Sequence, residues 1–233
     1  MTDRPASPRP LSGEHFRTPR AAALAGIVFS LLLITAIVML RFAMPDNPER
    51  PEAWLAVDPR RVFLALNMIP FAGIAFLWFV GVLRDRLGAR EDRFFATVFL
   101  GSGMLFLAML FAGAAVMGSM MIAHAADPAK LTDSPAFTIA RALTSNIVNI
   151  YAIKMASVFM IVTSTLVLRT GFAARWIAFV GYALSLPLLF GSRLIDWGFF
   201  VFPGWVLLMS AYILVDNMRT QGPDAAPPEG DDR

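Results

Sequence analysis

AAALAGIVFSLLLITAIVML, residues 21–40, is a run of twenty residues without one Asp, Glu, Lys or Arg. A helix must supply about 20 mostly apolar residues, at about 1.5 Å each, to cross the hydrocarbon of a bilayer. This run meets that requirement by itself. It is longer than a secretory h-region and no small-residue cleavage site follows it, so it reads as an uncleaved anchor. Working outward, residues 62–83, 94–126, 155–168, 176–192 and 197–215 are also free of those four charged types. The fourth run extends backward through Lys154. The expectation is an all-α, polytopic membrane helix bundle with six transmembrane helices, spanning about 21–41, 62–83, 94–123, 145–168, 176–192 and 197–215.

Composition points the same way. In 233 residues, 57% are hydrophobic and 16% charged, against roughly 25% charged in soluble domains. The third run, about 33 residues, has to tilt, break near its glycines or emerge from the bilayer. The fifth contains Pro187 and has 17 residues, at the short end of the spanning range. Residues 1–19 and 218–233 are rich in Pro, Gly and charge and read as flexible tails flanking a membrane domain at 20–217.

Orientation follows from the arginines. Twelve of the basic residues fall in the two tails and the second and fourth connections, and seven on the opposite side. By the positive-inside rule both termini are expected in the cytoplasm. Eighteen of the twenty basic residues are Arg and Ala is abundant, a bias of GC-rich bacteria, so the expected location is the bacterial cytoplasmic (inner) membrane. The partner this implies is the lipid bilayer. No basic face of a folded soluble domain is present for nucleic acid.

The absence of cysteine removes disulfides, thiolate metal sites and cysteine nucleophiles. Two histidines, His15 in the tail and His124 at the outer end of the third span, are too few for a bis-histidine haem or a zinc site. No metal or cofactor is expected. The sequence LGSGM, residues 100–104, approaches the G-x-S-G of intramembrane serine proteases but has Leu100 at the first glycine, and no histidine on another span serves as base. No nucleophile–base pair is visible, so the chain is not expected to be an enzyme. The thirteen methionines read as flexible apolar packing.

The fourth span carries the candidate site. On a 100° wheel Asn146, Asn149, Ile153, Ser157 and Ser164 form one stripe about 27 Å long, bordered by Lys154. Polar groups of that kind turn into a bundle or a cavity, because lipid offers them no partner. Lys154 allows three readings: a polar cavity, an outward-snorkelling or paired lysine, or a shorter helix. Asp196, at the start of the sixth span, pairs either with Arg193 at the membrane surface or with Lys154 across the outer end of a cavity. Asn67 and Pro70 suggest a kink in the second span that could border the same site. The candidate cavity lining is therefore Lys154, Asn146, Asn149, Ser157, Asp196 and Asn67. Two functions follow: a protein that binds or passes a small or lipid-like ligand through a polar cavity on the fourth helix, or a structural or accessory subunit whose stripe is a helix–helix or homo-oligomer interface.

Local signals mark the connections. Ser134 before Pro135 is a helix start, and Ala108 with Ala112, and Ala114 with Gly118, are small-residue pairs suited to close packing. At RTGFAARWIAFVGYALSL, residues 169–186, the chain resembles small bacterial six-helix membrane proteins grouped as a domain of unknown function. In those proteins two helices meet at a turn of the type (K/R)-(S/T)-G-(F/L)-x-x-R. Arg169, Thr170, Gly171, Phe172 and Arg175 match it, and Ala174 stands where proline is usual. The likeness covers that hairpin and the six-span plan, about a third of the chain, and implies no activity.

Overall fold

The computed structural model describes residues 18–45, 50–87, 93–191 and 198–219. The two tails read from the sequence fall almost wholly outside them. All regular structure in the described residues is helical. The elements are α1 (Thr18–Ala43), a 3₁₀ helix (Pro51–Ala56), α2 (Pro59–Leu87), α3 (Arg93–Ala126), α4 (Pro128–Thr132), α5 (Pro135–Asn146), a π-helical turn (Ile147–Ala152), α6 (Ile153–Thr170), α7 (Arg175–Gly191) and α8 (Gly198–Arg219). Five helical stretches are long and apolar enough to cross a membrane: Ala21–Ala43, Pro59–Arg84, Phe94–Ala126, Pro135–Thr170 and Gly198–Asp216. The helix α7, 17 residues, is shorter and apolar. These are the helices of a multi-pass integral membrane protein.

Helix starts repeat one device. Asp58, Asp127 and Ser134 each precede a proline, and their side-chain oxygens accept from the main-chain N–H groups of Arg60, Lys130 and Phe137 at 3.0, 3.1 and 3.2 Å. The proline lacks an N–H that would be orphaned in a first turn, and the preceding oxygen satisfies one of the others. Ser134 therefore starts α5 as its sequence indicates. At the opposite end, α6 stops at Gly171, whose φ of 70° is left-handed and whose N–H donates to the Val167 carbonyl at 2.9 Å. That conformation is open to glycine at little cost and explains the glycine of the RTGFAAR turn. Arg169 beside it lies 4.2 Å from the centre of the Phe95 ring, tying the end of α6 to the start of α3.

The helices form a ring in which α1 packs between α2 and α8, α3 between α2 and α6, and α7 along α6, with α8 also reaching α6 and α7. The third span is not broken at its glycines. Its helix α3 has 34 residues, about 51 Å, and so exceeds the roughly 30 Å of hydrocarbon. Large apolar side chains such as Leu24, Phe71, Trp78 and Phe179 face outward, as lipid requires and water would not tolerate in such number.

The centre is a cluster of phenylalanines. Phe76 of α2 meets the rings of Phe29 (α1), Phe79 (α2), Phe106 (α3), Phe159 (α6) and Phe202 (α8) at centroid distances of 4.7 to 6.1 Å. All six are buried. Tilted and edge-to-face pairs of this kind add about 0.5–1.5 kcal/mol each beyond burial. In a bilayer, where transfer from lipid contributes little, such packing carries much of the stability. A second, smaller cluster lies at the other end of α3, where Trp54 and Val57 of the 3₁₀ segment pack with Val62, Met120, Met121 and Phe137.

Candidate functional site

Between these two clusters lies a cavity of about 630 Å³, inside the roughly 300–1,000 Å³ range of small-molecule sites. Its walls come from the end of α1, the first half of α2, the middle of α3, α5 with the π turn and the start of α6, and the start of α8. Phe106 and Phe202 of the aromatic cluster close the deep end, and Trp54 covers the other. Along the α5–α6 rod the wall runs from Arg141 to Ala156, roughly 20 Å at 1.5 Å per residue.

The wall changes character over that length. Its deep part is Leu33, Ala36, Ile69, Leu110, Ala152, Ile153 and Ala156, all apolar. The mouth carries Arg41 from the last turn of α1 and Arg141, Thr144, Ser145 and Asn149 from α5 and the π turn. The Asn149 amide Nδ2 donates to the Ser145 Oγ at 2.9 Å. Thr144 is 9% exposed, and its hydroxyl has no hydrogen-bond partner. A buried hydroxyl without a partner costs roughly 1–3 kcal/mol. Thr144 is therefore a polar wall residue whose hydrogen-bonding capacity the protein leaves unused.

The π turn sets which side chains reach the cavity. In an α-helix, residues four apart drift about 40° round the axis, so a row of i, i+4, i+8 leaves one face after a few turns. A turn closed by i→i+5 bonds is wider and takes back part of that drift. Thr144, Val148, Ala152 and Ala156 thus stay on the wall together. The turn can lie close to α3 because Gly113 faces Val148: a Cβ there would collide with the Val148 Cγ2.

Against this geometry the residues picked from the sequence divide. Asn149 lines the cavity. Ser157 is buried off the wall, and its hydroxyl is satisfied within its own helix by the Ile153 carbonyl at 2.8 Å. Asn146 and Lys154 are exposed on the bundle surface, away from the wall. Asn67 is exposed as well, while its neighbours Leu66 and Ile69 are on the wall. Asp196 and Arg193 lie outside the described residues. Of the small-residue pairs, only Ala114 is a wall residue.

Sequence reasoning missed Arg41 and Arg141, which it counted only as topological charges, and Thr144 and Ser145. One signal for part of the set exists: Arg141, Thr144, Ser145 and Asn149 stand at i, i+3, i+4 and i+8, one helical face. Arg41 and Trp54 have no such signal, because distant segments bring them to the mouth. Ser102 of LGSGM is buried and donates to its own Phe99 carbonyl at 3.2 Å, an internal helix contact. Among the described residues no group of three or more His, Cys, Asp or Glu side chains stands together as a metal site.

No family model, no curated protein and no solved structure matches this chain.

Proposed function

We propose that this chain is a six-span protein of a bacterial cytoplasmic membrane, both ends cytoplasmic, that binds a lipid-like amphiphile with its apolar part inside the bundle and its polar head at the outer mouth. One observation carries the reading: the wall is apolar at depth and turns to Arg, Thr, Ser and Asn at one end. That is the polarity profile of an amphiphile, and under the proposed orientation the polar end lies at the outer headgroup level. The aromatic floor favours binding over passage, since Phe76, Phe106 and Phe202 pack ring against ring beneath the cavity. The reading is one of binding and not catalysis: the described wall carries no His, Cys, Asp, Glu or Lys to serve as base or nucleophile.

The test is a fatty acid with a photoreactive group at its chain end, added to the reconstituted protein. Adducts are expected on Ala152–Ala156 at the cavity floor, and Ala114→Phe, which fills the wall, should abolish them. Adducts confined to lipid-facing residues such as Phe71 and Trp78, unchanged in Ala114→Phe, would overturn the proposal.

A second reading has its own support. Asn146, Tyr151 and Lys154 are all exposed on the bundle surface, where lipid satisfies polar groups poorly, and such a row suits an interface with another membrane helix or a second copy. If it is one, the detergent-solubilised protein is larger than a monomer and Lys154→Leu dissociates it.

A further inference from the structure

We infer that Phe106 and Phe202 set the length of the chain this site accepts, and that its occupant carries a single unbranched acyl or alkyl chain. The inference rests on the reading of the cavity as an amphiphile site and adds the residues that choose among amphiphiles. At the deep end Phe106 of α3 and Phe202 of α8 stand with ring centroids 4.7 Å apart at 65°. Along α3 the wall residues then run Leu110, Gly113, Ala114 and Met117, and the π turn and α6 add Ala152 and Ala156. Small side chains above the floor leave a lumen, and the two rings end it.

The packing makes this stop rigid. Phe106 also meets Phe29 and Phe76, at 6.5 and 5.6 Å, and Phe202 meets Phe29, Phe76 and Phe159, at 5.8, 5.8 and 5.9 Å. All five rings are buried. In an interior of that density a ring does not swing aside for a longer chain without displacing its neighbours, and overfilling it costs stability.

A chain that enters from lipid or detergent exchanges one apolar surround for another, so added methylenes gain little from transfer alone. Fit decides between lengths. A chain too long lifts its head from the mouth or strains the rings, and one too short leaves a void whose lining loses its contacts. One optimum length follows. At about 30 Å³ per water-sized group the 630 Å³ cavity holds on the order of twenty such groups, enough for one chain with a compact head and too few for two chains.

The experiment uses the full-length protein in a steroid-based detergent, which has no linear chain to compete, with native mass spectrometry counting bound lipid. The probes are equimolar saturated lysophosphatidylcholines of about ten to about twenty carbons, a series that brackets the cavity's capacity, and in a separate mixture the matching monoacylglycerols. The best length should outcompete those four carbons away by about fivefold or more, and dipalmitoyl phosphatidylcholine should not compete. Phe106→Leu and Phe202→Leu should each move the optimum to chains longer by about two to four carbons, the room a lost ring leaves when the site relaxes only in part. Ala156→Leu, which adds bulk to the deep wall, should move it to shorter chains and keeps the test open if a phenylalanine variant fails to fold. Phe79→Leu, in the same aromatic cluster but off the wall, should leave it in place.

A flat length profile, or an optimum that stays put in all three wall variants, with binding still lost in Ala114→Phe, would overturn the length inference and leave the cavity reading standing. An equal shift in Phe79→Leu would overturn it too, by tracing the effect to a loosened core. Competition by the two-chain lipid would refute the single-chain assignment. Binding of every probe unchanged in Ala114→Phe would overturn the cavity reading itself, and this inference with it.

Discussion

The Nε2 of His124 lies 2.8 Å from the carbonyl oxygen of Trp54, joining the last turn of α3 to the 3₁₀ helix across 70 residues of sequence. A carbonyl only accepts, so Nε2 is the donor. The histidine is 2% exposed, and the Trp54 ring it holds in place stands edge-on to Phe137 at 5.2 Å and covers the cavity. This bond ties the cap to the bundle, so its loss should loosen the cap more than the bundle.

His124→Phe keeps a ring of similar bulk and removes the donor. The expected cost is about 1–3 kcal/mol, felt locally: amide exchange in Pro51–Ala56 should quicken by roughly tenfold or more, while the unfolding midpoint moves little because the phenylalanine cluster is separate. His124→Gln, which retains an N–H donor, should restore most of the protection. Exchange rates in His124→Phe equal to those of the parent would refute the role of the bond.

Two glycine–serine contacts make matching predictions at two helix seams. A Cβ on Gly26 of α1 would collide with the Ser210 Oγ of α8 and press on Phe79; a Cβ on Gly181 of α7 would collide with the Ser164 Oγ of α6 and meet Trp205. Both serine hydroxyls are buried without a hydrogen-bond partner and face the bare glycine backbone, an arrangement suited to weak Cα–H···O contact. Gly26→Ala and Gly181→Ala should each destabilise by about 1–3 kcal/mol. Gly101→Ala, with nothing within 4 Å of its Cβ, should be neutral or slightly stabilising. In unfolding titrations, Gly181→Ala combined with Ser164→Ala should recover part of the loss. Strict additivity of the two changes would show that the serine is not what the glycine accommodates.

The contrast between those packing contacts and the helix ends shows what was legible from sequence. Asp58-Pro59, Ser134-Pro135 and Gly171 act through their own backbone, so each boundary could be read locally. The apolar runs needed only length and charge. The π turn was not readable, because its register is allowed by Gly113, on another helix, facing Val148. A straight wheel therefore grouped Asn146 and Lys154 with Asn149, and the structure separates them. The cavity was half legible for the same reason: Asn149 sits where the polar stripe put it, whereas Arg41 and Trp54 reach the mouth only through the packing of α1, α3 and the 3₁₀ segment.

Gly113 gives a direct test of that register. In Gly113→Ala the new methyl group runs into the Val148 Cγ2 and must push the π turn away from α3. Lipid binding should fall by about tenfold with a stability loss near 1–3 kcal/mol, since Val148, Asn149 and Ala152 all stand on the displaced wall. Adding Val148→Ala removes the colliding methyl and should return much of the binding. If Gly113→Ala binds lipid as the parent does, the π turn does not shape the site.

Lys154 bears on topology and interface together, because the chain holds just two lysines. It stands 15 residues before Arg169 on a continuous helical rod, about 22 Å from that end, which under the proposed orientation puts it near the outer rim of roughly 30 Å of hydrocarbon. Helical side chains lean toward the N-terminus, the outer side in the proposed orientation, so the ammonium group can then reach the headgroups. Lys130, exposed on α4, is the control. A membrane-impermeant amine reagent applied to intact cells should label both lysines, which requires the cap to be external and the termini cytoplasmic. Labelling of neither lysine in intact cells, with both reacting once the membrane is opened, would reverse the orientation. Reaction at Lys130 alone would place Lys154 beneath a neighbouring helix and favour the interface reading of the surface row Asn146, Tyr151 and Lys154.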